Sequence, residues 1–481
     1  MKSKVADTNC RRHQLSPTLD VGKLWRMFVN RTAELEQLES WWARPEAALG
    51  MVWGRRRVGK TALIQHFAAD RPTVFHTGGG RPAAAELAAL ARAAAPQLGD
   101  GVRDLEARPF ADWEDALETL ALAAVDRPLL LVLDELPALV ETSPELPSLL
   151  RAIWDRLRSR TKLKLLLCGS AVRTMERMQE ERAPLYGRLD LALLLHPFRP
   201  HEAAQMLPAL QPVQRALVWG LVGGMPLYLQ WWDQDASLGD NLHRLACTPG
   251  GQLLTEGQLV LATEGEGGEL ARQTLYAIAA GRTRFNEIEQ AVRADPRRTL
   301  DRLVDLRLVE RVVPVTENPL RTRRRIYRIA DNFLAFWLGL LDRYRPEIER
   351  ELGETILPVL LDSLDDHMGG PWEEAFRDHL RRLAASGDLG EGIVAVGPFW
   401  TSADDPMEID AVALAGSSRE AVLLGEAKWA KRVDARALRA DLERKADALP
   451  RRADAPRYAI CARERVDNAD DVLTITAADI F

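Results

Sequence analysis

The stretch Gly54-Arg55-Arg56-Arg57-Val58-Gly59-Lys60-Thr61 constrains the fold more than any other. It spells G-x-x-x-x-G-K-T, a P-loop. Its glycines let backbone N–H groups turn inward onto phosphate oxygens, its Lys reaches the β- and γ-phosphates, and its hydroxyl holds Mg²⁺. Such a loop works between a buried strand and a helix whose positive N-terminal end faces the phosphates. Both flanks are present: residues 47–53 are an apolar run that suits a strand, and 61–68 read as a helix. An α/β nucleotide-binding sheet is therefore expected, with Gly54, Arg57, Val58, Gly59, Lys60, Thr61 and Ala62 around ATP and Mg²⁺.

At 481 residues the chain is too long for one core, and three or four domains are expected. No apolar run approaches the roughly 18 residues of a membrane helix. Lys2 and Lys4 precede no apolar core, so a secretory signal is not expected. Cys10, Cys168, Cys247 and Cys461 lack metal-ligand spacing and read as reduced thiols, which points to the cytoplasm and away from membranes. Lys fills nine positions against 55 for Arg, so a Lys inside a motif carries weight. Lys60 and Lys428 are two such.

Residues 1–25 read as a flexible tail and 26–198 as the nucleotide-binding core. Thr32 can cap a helix with Leu35, Leu38 and Trp41 at helical spacing. The preceding Phe28-Val29-Asn30-Arg31 either simply opens that helix or flanks the adenine, with Arg31 on the nucleotide. A strand at 73–77 and helices at 82–97 and 109–125 lead to Leu129-Leu130-Leu131-Val132-Leu133, which ends in Asp134 and Glu135. A continuous apolar run suits a parallel strand buried on both faces. It delivers Asp134 to the carboxyl edge of the sheet, where ligands bind. Asp134 would hold Mg²⁺ through water, and Glu135 would polarise the attacking water. Ser170, at the end of the apolar strand 163–170, either senses the γ-phosphate or caps the next helix. Arg188, before a fifth strand at 191–195, is either an arginine finger or a surface residue. Residues 199–262 read as a helical lid, in which Gly223-Gly224-Met225-Pro226 either serves only to open a helix or places the lid over the nucleotide, with Pro226 near it.

Residues 263–345 read as three helices, at 270–279, 285–292 and from Pro296 to about 306, then two strands at 308–315 and 324–329. That is a winged helix-turn-helix, whose third helix can enter a major groove. Between 270 and 350 there are 17 Arg and 11 acids, a net +6 in a chain of −6, the footprint of a phosphate-binding surface. Arg297, Arg298 and Arg302 on the third helix, with Arg321, Arg323, Arg324 and Arg325 at the wing tip, are the expected DNA contacts. The alternative is a module that only couples its neighbours.

In residues 346–481 a helix at 372–380 carries Glu373 and Glu374, and a strand follows at 393–396. A hairpin of strands 408–414 and 421–429 carries Asp410, Glu426 and Lys428. Strand alternation puts Glu426 and Lys428 on one face, where Asp410 can meet them. Two carboxylates can hold Mg²⁺ against a phosphodiester while the Lys orients or deprotonates a water. The alternative is a charged strand end facing solvent.

From Phe28 to Leu229 the chain resembles the archaeal-type ATPases of the AAA-related, signal-transduction (STAND-like) branch of P-loop NTPases. The resemblance rests on the Phe-Val-Asn-Arg opening, the P-loop, residues 131–135, Cys168-Gly169-Ser170 and Gly223-Gly224-Met225-Pro226. It implies that Gly224-Met225-Pro226 reports nucleotide state to the next domain, and that a winged helix and a restriction-endonuclease-like domain follow. The C-terminal pattern is similar to the PD-(D/E)XK nucleases. Carried over by position, that similarity implies Glu373 as the helical acid, Asp410 and Glu426 as metal ligands and Lys428 as the catalytic lysine. The expectation is an α/β multidomain protein: a P-loop parallel sheet with a helical lid, a winged helix-turn-helix at 263–345 and a restriction-endonuclease-like α/β domain at 346–481. Its expected function is that of an ATP-hydrolysing, DNA-associated protein with a Mg²⁺-dependent nuclease-like domain. The alternative is a nucleotide-gated switch, whose homo-oligomeric assembly ATP would set, binding DNA or protein without cleavage.

Overall fold

A computed structural model describes residues 28–98, 104–263, 268–401 and 407–481. The tail expected at 1–25 lies outside the described residues.

Five parallel strands build the first sheet: β1 (Ala48–Trp53), β2 (Thr73–Thr77), β3 (Leu129–Asp134), β4 (Leu163–Gly169) and β5 (Leu191–Leu194), in the order β2-β3-β4-β1-β5. Every residue of β1, β3 and β4 is buried, as a parallel sheet covered on both faces requires. One face packs Val52, Val132 and Leu166 with helices Thr32–Trp42 and Lys60–Ala68; the other packs Met51, Leu131 and Leu165 with helices Ala83–Leu98 and Trp113–Ala123. Lys164 lies inside β4, where its buried ammonium donates to the carbonyls of Arg44 and Glu46, both at 2.5 Å. Because β4 lies between β1 and β3, three strand ends stand side by side at the carboxyl edge. Trp53 registers with Gly169, and Leu133 with Leu167.

Helices follow from Pro200 to Thr263, among them Pro212–Val222, Pro226–Trp231 and Gln252–Thr263. The turn between the first two is tightly held. Phe198 N donates to Gly224 O at 2.7 Å, and a Cβ on Gly224 would stand 1.9 Å from Phe198 O. Helices Gly268–Ala279, Phe285–Val292 and Arg297–Asp305 then precede an antiparallel pair, β6 (Val309–Val312) and β7 (Ile326–Ile329). β6 is shorter than the expected 308–315. Pro314 has no N–H to donate, and Val315 N donates instead to Pro398 O of the neighbouring domain at 2.8 Å.

The C-terminal domain holds β8 (Ile393–Trp400), β9 (Glu408–Ala415), β10 (Glu420–Lys428), β11 (Arg432–Asp434), β12 (Arg452–Ala462), β13 (Arg465–Asp467) and β14 (Val472–Ile475). Its main sheet is mixed, in the order β14-β12-β10-β9-β8, and β11 pairs with β13 apart from it. Helix Leu364–Ser386 covers one face, where a Cβ on Gly425 would stand 2.7 Å from Phe376. Helix Ala435–Ala446 covers the other, where Leu442 packs with Val412 and Leu424. The expected helix 372–380 is the middle of this 23-residue helix, which runs through Gly369-Gly370-Pro371. Met368 and Pro371 fill the space left by Gly220, joining the helical region to the C-terminal domain. Among the described residues no helix is long and apolar enough to cross a membrane.

Candidate functional site

The loop after β1 has the backbone its glycines permit. Gly54 has φ 154° and a Cβ there would stand 2.5 Å from Leu195 O; Gly59, which caps the next helix, has φ 91°. Arg57 adopts φ 71° without being glycine. Lys60 opens the helix, and its buried Nζ donates across the loop to Gly54 O at 2.9 Å and Arg55 O at 3.0 Å. Thr61 Oγ1 donates to Asp134 Oδ2 at 3.0 Å, Glu135 N donates to Asp134 Oδ1 at 3.0 Å, and Ser170 Oγ donates to Glu135 Oε2 at 2.9 Å. One polar line thus joins the helix start, the end of β3 and the end of β4. A hydroxyl and a buried carboxylate this close form a hard-oxygen donor pair that fits Mg²⁺. Ala62 follows on the exposed side of the helix.

Arg31 and Arg188, each read in the sequence with two alternatives, are both engaged by protein groups in this structure. Arg31 is buried, but its guanidinium donates to Val58 O at 3.0 Å and His196 O at 2.8 Å, pairs with Glu34 at 2.8 Å, and lies 4.4 Å from the Phe198 ring centroid. It props the loop backbone, and its hydrogen bonds are spent on protein; Phe28 stacks on His66 at 4.2 Å. Arg188 is paired with both oxygens of Asp155, at 2.9 and 2.7 Å, and its hydrogen bonds do not reach the loop. Pro226 does come to the loop: its Cγ lies 3.7 Å from where a Cβ on Gly59 would stand.

Two partners of the loop went unread in the sequence. Arg57 is bidentate to Glu256 at 3.0 and 3.1 Å, and Tyr228 OH donates to the same buried carboxylate at 3.0 Å. Arg55 pairs with Asp331 at 3.2 Å, with the two side chains 9% and 4% exposed. Asp331 also caps helix Asn332–Phe336 through Leu334 N at 2.9 Å. The available signal was a lone acid in each apolar stretch, since a buried charge needs a partner.

A second centre lies at one end of the C-terminal sheet. Gly425 registers with Ala411, so Glu426 comes opposite Asp410. Lys428 Nζ donates to Glu426 Oε1 at 2.6 Å and lies 4.0 Å from Asp410 Oδ2. Asp410 Oδ2 also accepts from Ala427 N at 2.8 Å. Burial, with the charges of Glu373 and Glu426, pushes the Asp410 carboxyl up to about 7. Burial works to lower the Lys428 pKa, but the bond to Glu426 and the charge of Asp410 outweigh it, so it is raised and the group stays an ammonium. Lys445, which the sequence reading passed over, places Nζ 3.4 Å from the other oxygen of Glu426.

Glu373, expected as the helical acid, stands near Asp410, whose carboxyl its charge helps to raise. Its carboxylate faces Arg377 of its own helix at 3.5 Å, and Arg377 reaches Asp410 O at 2.8 Å. Among the described residues no group of three His, Cys, Asp or Glu side chains is placed to hold a metal. Its neighbour Glu374 is held by Arg328 of β7, Arg377 and Arg381 at 2.7, 3.0 and 2.6 Å. Burial works to raise its carboxyl, and these three guanidiniums overcome that and hold it well below the usual range.

Of the arginines expected on DNA, Arg297, Arg323, Arg324 and Arg325 share one cleft, while Arg298, Arg302 and Arg321 are exposed outside it.

Residues 28–231 match a family described as an ATPase domain predominantly from Archaea, and 337–439 match a family of archaeal and bacterial proteins of unknown function. An uncharacterized protein of Methanocaldococcus jannaschii is 25% identical over 430 residues, covering 87% of this chain and 92% of that protein. An uncharacterized ATP-binding protein of the same organism is 58% identical over 41 residues, 8% of this chain and 70% of that one. A Walker-type ATPase of Pyrococcus abyssi has a similar fold, with a TM-score of 0.50 and 20% identity, over 64% of this chain and 95% of that one. The chain is thus a multidomain α/β protein that carries, at residues 28–231, a domain similar to the ATPase domains found predominantly in Archaea, followed at 337–439 by a region similar to archaeal and bacterial proteins of unknown function.

Proposed function

We propose that this protein binds and hydrolyses ATP with Mg²⁺, and that the nucleotide controls a DNA-acting C-terminal domain. The polar line Thr61–Asp134–Glu135–Ser170 beside the buried Lys60 ammonium carries the ATPase part. The backbone between Gly54 and Gly59 cradles the phosphates, and Lys60 neutralises the β- and γ-oxygens. Thr61 Oγ1 and Asp134 would hold Mg²⁺, which would supply charge neutralisation to the phosphates. Glu135, its carboxylate oriented by Ser170, positions the attacking water and takes its proton. Glu135→Gln is expected to keep ATP binding while turnover falls about 10²–10⁴-fold, the range of general base catalysis. Turnover equal to the parent's in a phosphate-release assay would remove Glu135 from that role.

The three helices and hairpin act as a winged helix on DNA, and the Asp410–Glu426–Lys428 centre acts as a nuclease-type site. Asp410 and Glu426 would hold Mg²⁺, which would supply charge neutralisation at a substrate phosphodiester. Lys428, an ammonium at this site, orients the water and balances developing charge on the phosphodiester. Glu373, near Asp410, serves as the helical acid of this centre, while Arg188, held by both oxygens of Asp155, has no part in this reading. A second reading, a nucleotide-gated binder without cleavage, draws support from Lys428 and Lys445 on the two oxygens of Glu426, where they compete with a metal.

A further inference from the structure

A cleft of about 930 Å³ lies between the hairpin β6–β7, the starts of helices Phe285–Val292 and Arg297–Asp305, and the end of β8. Arg284, Arg297, Arg311, Arg323, Arg324 and Arg325 line it, with Asp301 as the acid on its wall. Arg311 is balanced by Asp301 at 2.6 Å and Arg324 by Glu317 at 2.8 Å. Arg284, Arg297, Arg323 and Arg325 form no ion pair among the described residues, so the cleft is strongly positive. Guanidiniums drawn from separate elements converge on this one cleft, and their planar forks match phosphate oxygens.

The position of the cleft matters as much as its charge. Trp400, on its wall, registers with Glu408 across β8 and β9. Asp410 stands two residues further along β9, roughly 7 Å at strand rise. The cleft therefore opens at the end of the sheet that carries Asp410, Glu426 and Lys428.

We infer that this cleft seats the phosphate backbone of a DNA strand and leads it to the Asp410–Glu426–Lys428 centre. This rests on the DNA-acting reading above and adds to it a binding track, with Arg284 and Arg311 as members.

The test uses the full chain with Cys10→Ser, in which the three remaining cysteines are buried. A 5′-fluorescein 30-nucleotide strand and its duplex are titrated by anisotropy between 50 and 200 mM NaCl. Arg284→Ala/Arg323→Ala, both at exposed positions, is expected to weaken binding at least ~10-fold and to flatten the salt slope by about 1.4–1.8, since each phosphate contact contributes about 0.7–0.9. The exposed pair Arg151→Ala/Arg158→Ala, of equal charge change on the first domain, is expected to leave the slope alone. A photocrosslinker on Glu408→Cys is expected to capture the labelled strand, and to lose it in the Arg284/Arg323 background. A parental slope in the Arg284/Arg323 variant, or equal loss in the control pair, overturns the track while DNA binding stands. Binding without capture at position 408 overturns the route to the carboxylates. A parent that binds neither DNA overturns both the track and the reading beneath it.

Discussion

Replacing Lys60 with alanine is expected to raise the ATP dissociation constant at least ~100-fold and to take hydrolysis below detection. The ammonium lies inside the loop, buried, with Gly54 and Arg55 carbonyls at 2.9 and 3.0 Å, so it meets phosphate oxygens where water cannot screen them. A hydrogen bond to a charged group contributes about 1.5–3 kcal/mol, and two such contacts give the expected factor at about 1.4 kcal/mol per tenfold. The substitution also leaves two carbonyls without this donor, so the thermal midpoint without ATP should fall as well. Calorimetric titration with ATP checks the first effect, and parental affinity in a folded variant would place the phosphates elsewhere.

Asp331→Ala carries the largest expected cost to stability. It removes one buried ionic partner of the Arg55 guanidinium, and breaking a buried pair costs about 3–5 kcal/mol. It also removes the cap on Leu334 N, worth about 1 kcal/mol. That is a large part of the roughly 5–15 kcal/mol that holds a domain together. Asp331→Asn keeps an acceptor for both contacts and should lose less. Because Arg55 belongs to the phosphate loop and Asp331 follows β7, this pair ties the nucleotide site to the arginine-rich segment. In Asp331→Asn, ATP should bind and turn over, while its effect on DNA binding weakens. Denaturation and ATP-dependent anisotropy measure the two effects. A parental midpoint in Asp331→Ala would mean that Arg55 finds water or another partner.

The strands that frame the nucleotide site were readable because each is an apolar run closed by a glycine or an acid, as β1 ends before Gly54 and β3 ends on Asp134. The helix Leu364–Ser386 was only partly readable. Gly369-Gly370-Pro371 is a breaker by local propensity, and packing of Met368 and Pro371 onto Gly220 overrides it. Glu256 and Asp331 lie 199 and 276 residues from the arginines they meet, and no local pattern reports such pairs. The same limit explains Arg31 and Arg188: in a chain this rich in Arg, residue type alone does not say whether a guanidinium meets a ligand or the protein. Glu373 and Glu374 are one helical step apart, so one turns toward Asp410 and the other toward Arg328, and the rotation of the helix decides which. On β10 no such freedom exists. Alternation alone puts Glu426 and Lys428 together, and they stand 2.6 Å apart.

The most direct measurement is cleavage of labelled single-stranded, duplex and branched DNA with Mg²⁺ or Mn²⁺, with and without ATP, by the parent and by Lys428→Ala. The expected result is metal-dependent cleavage whose rate changes with ATP and falls at least ~100-fold in the variant. A parent that binds ATP yet cuts no substrate with either metal would contradict the account, and would leave a nucleotide-gated binding protein in its place.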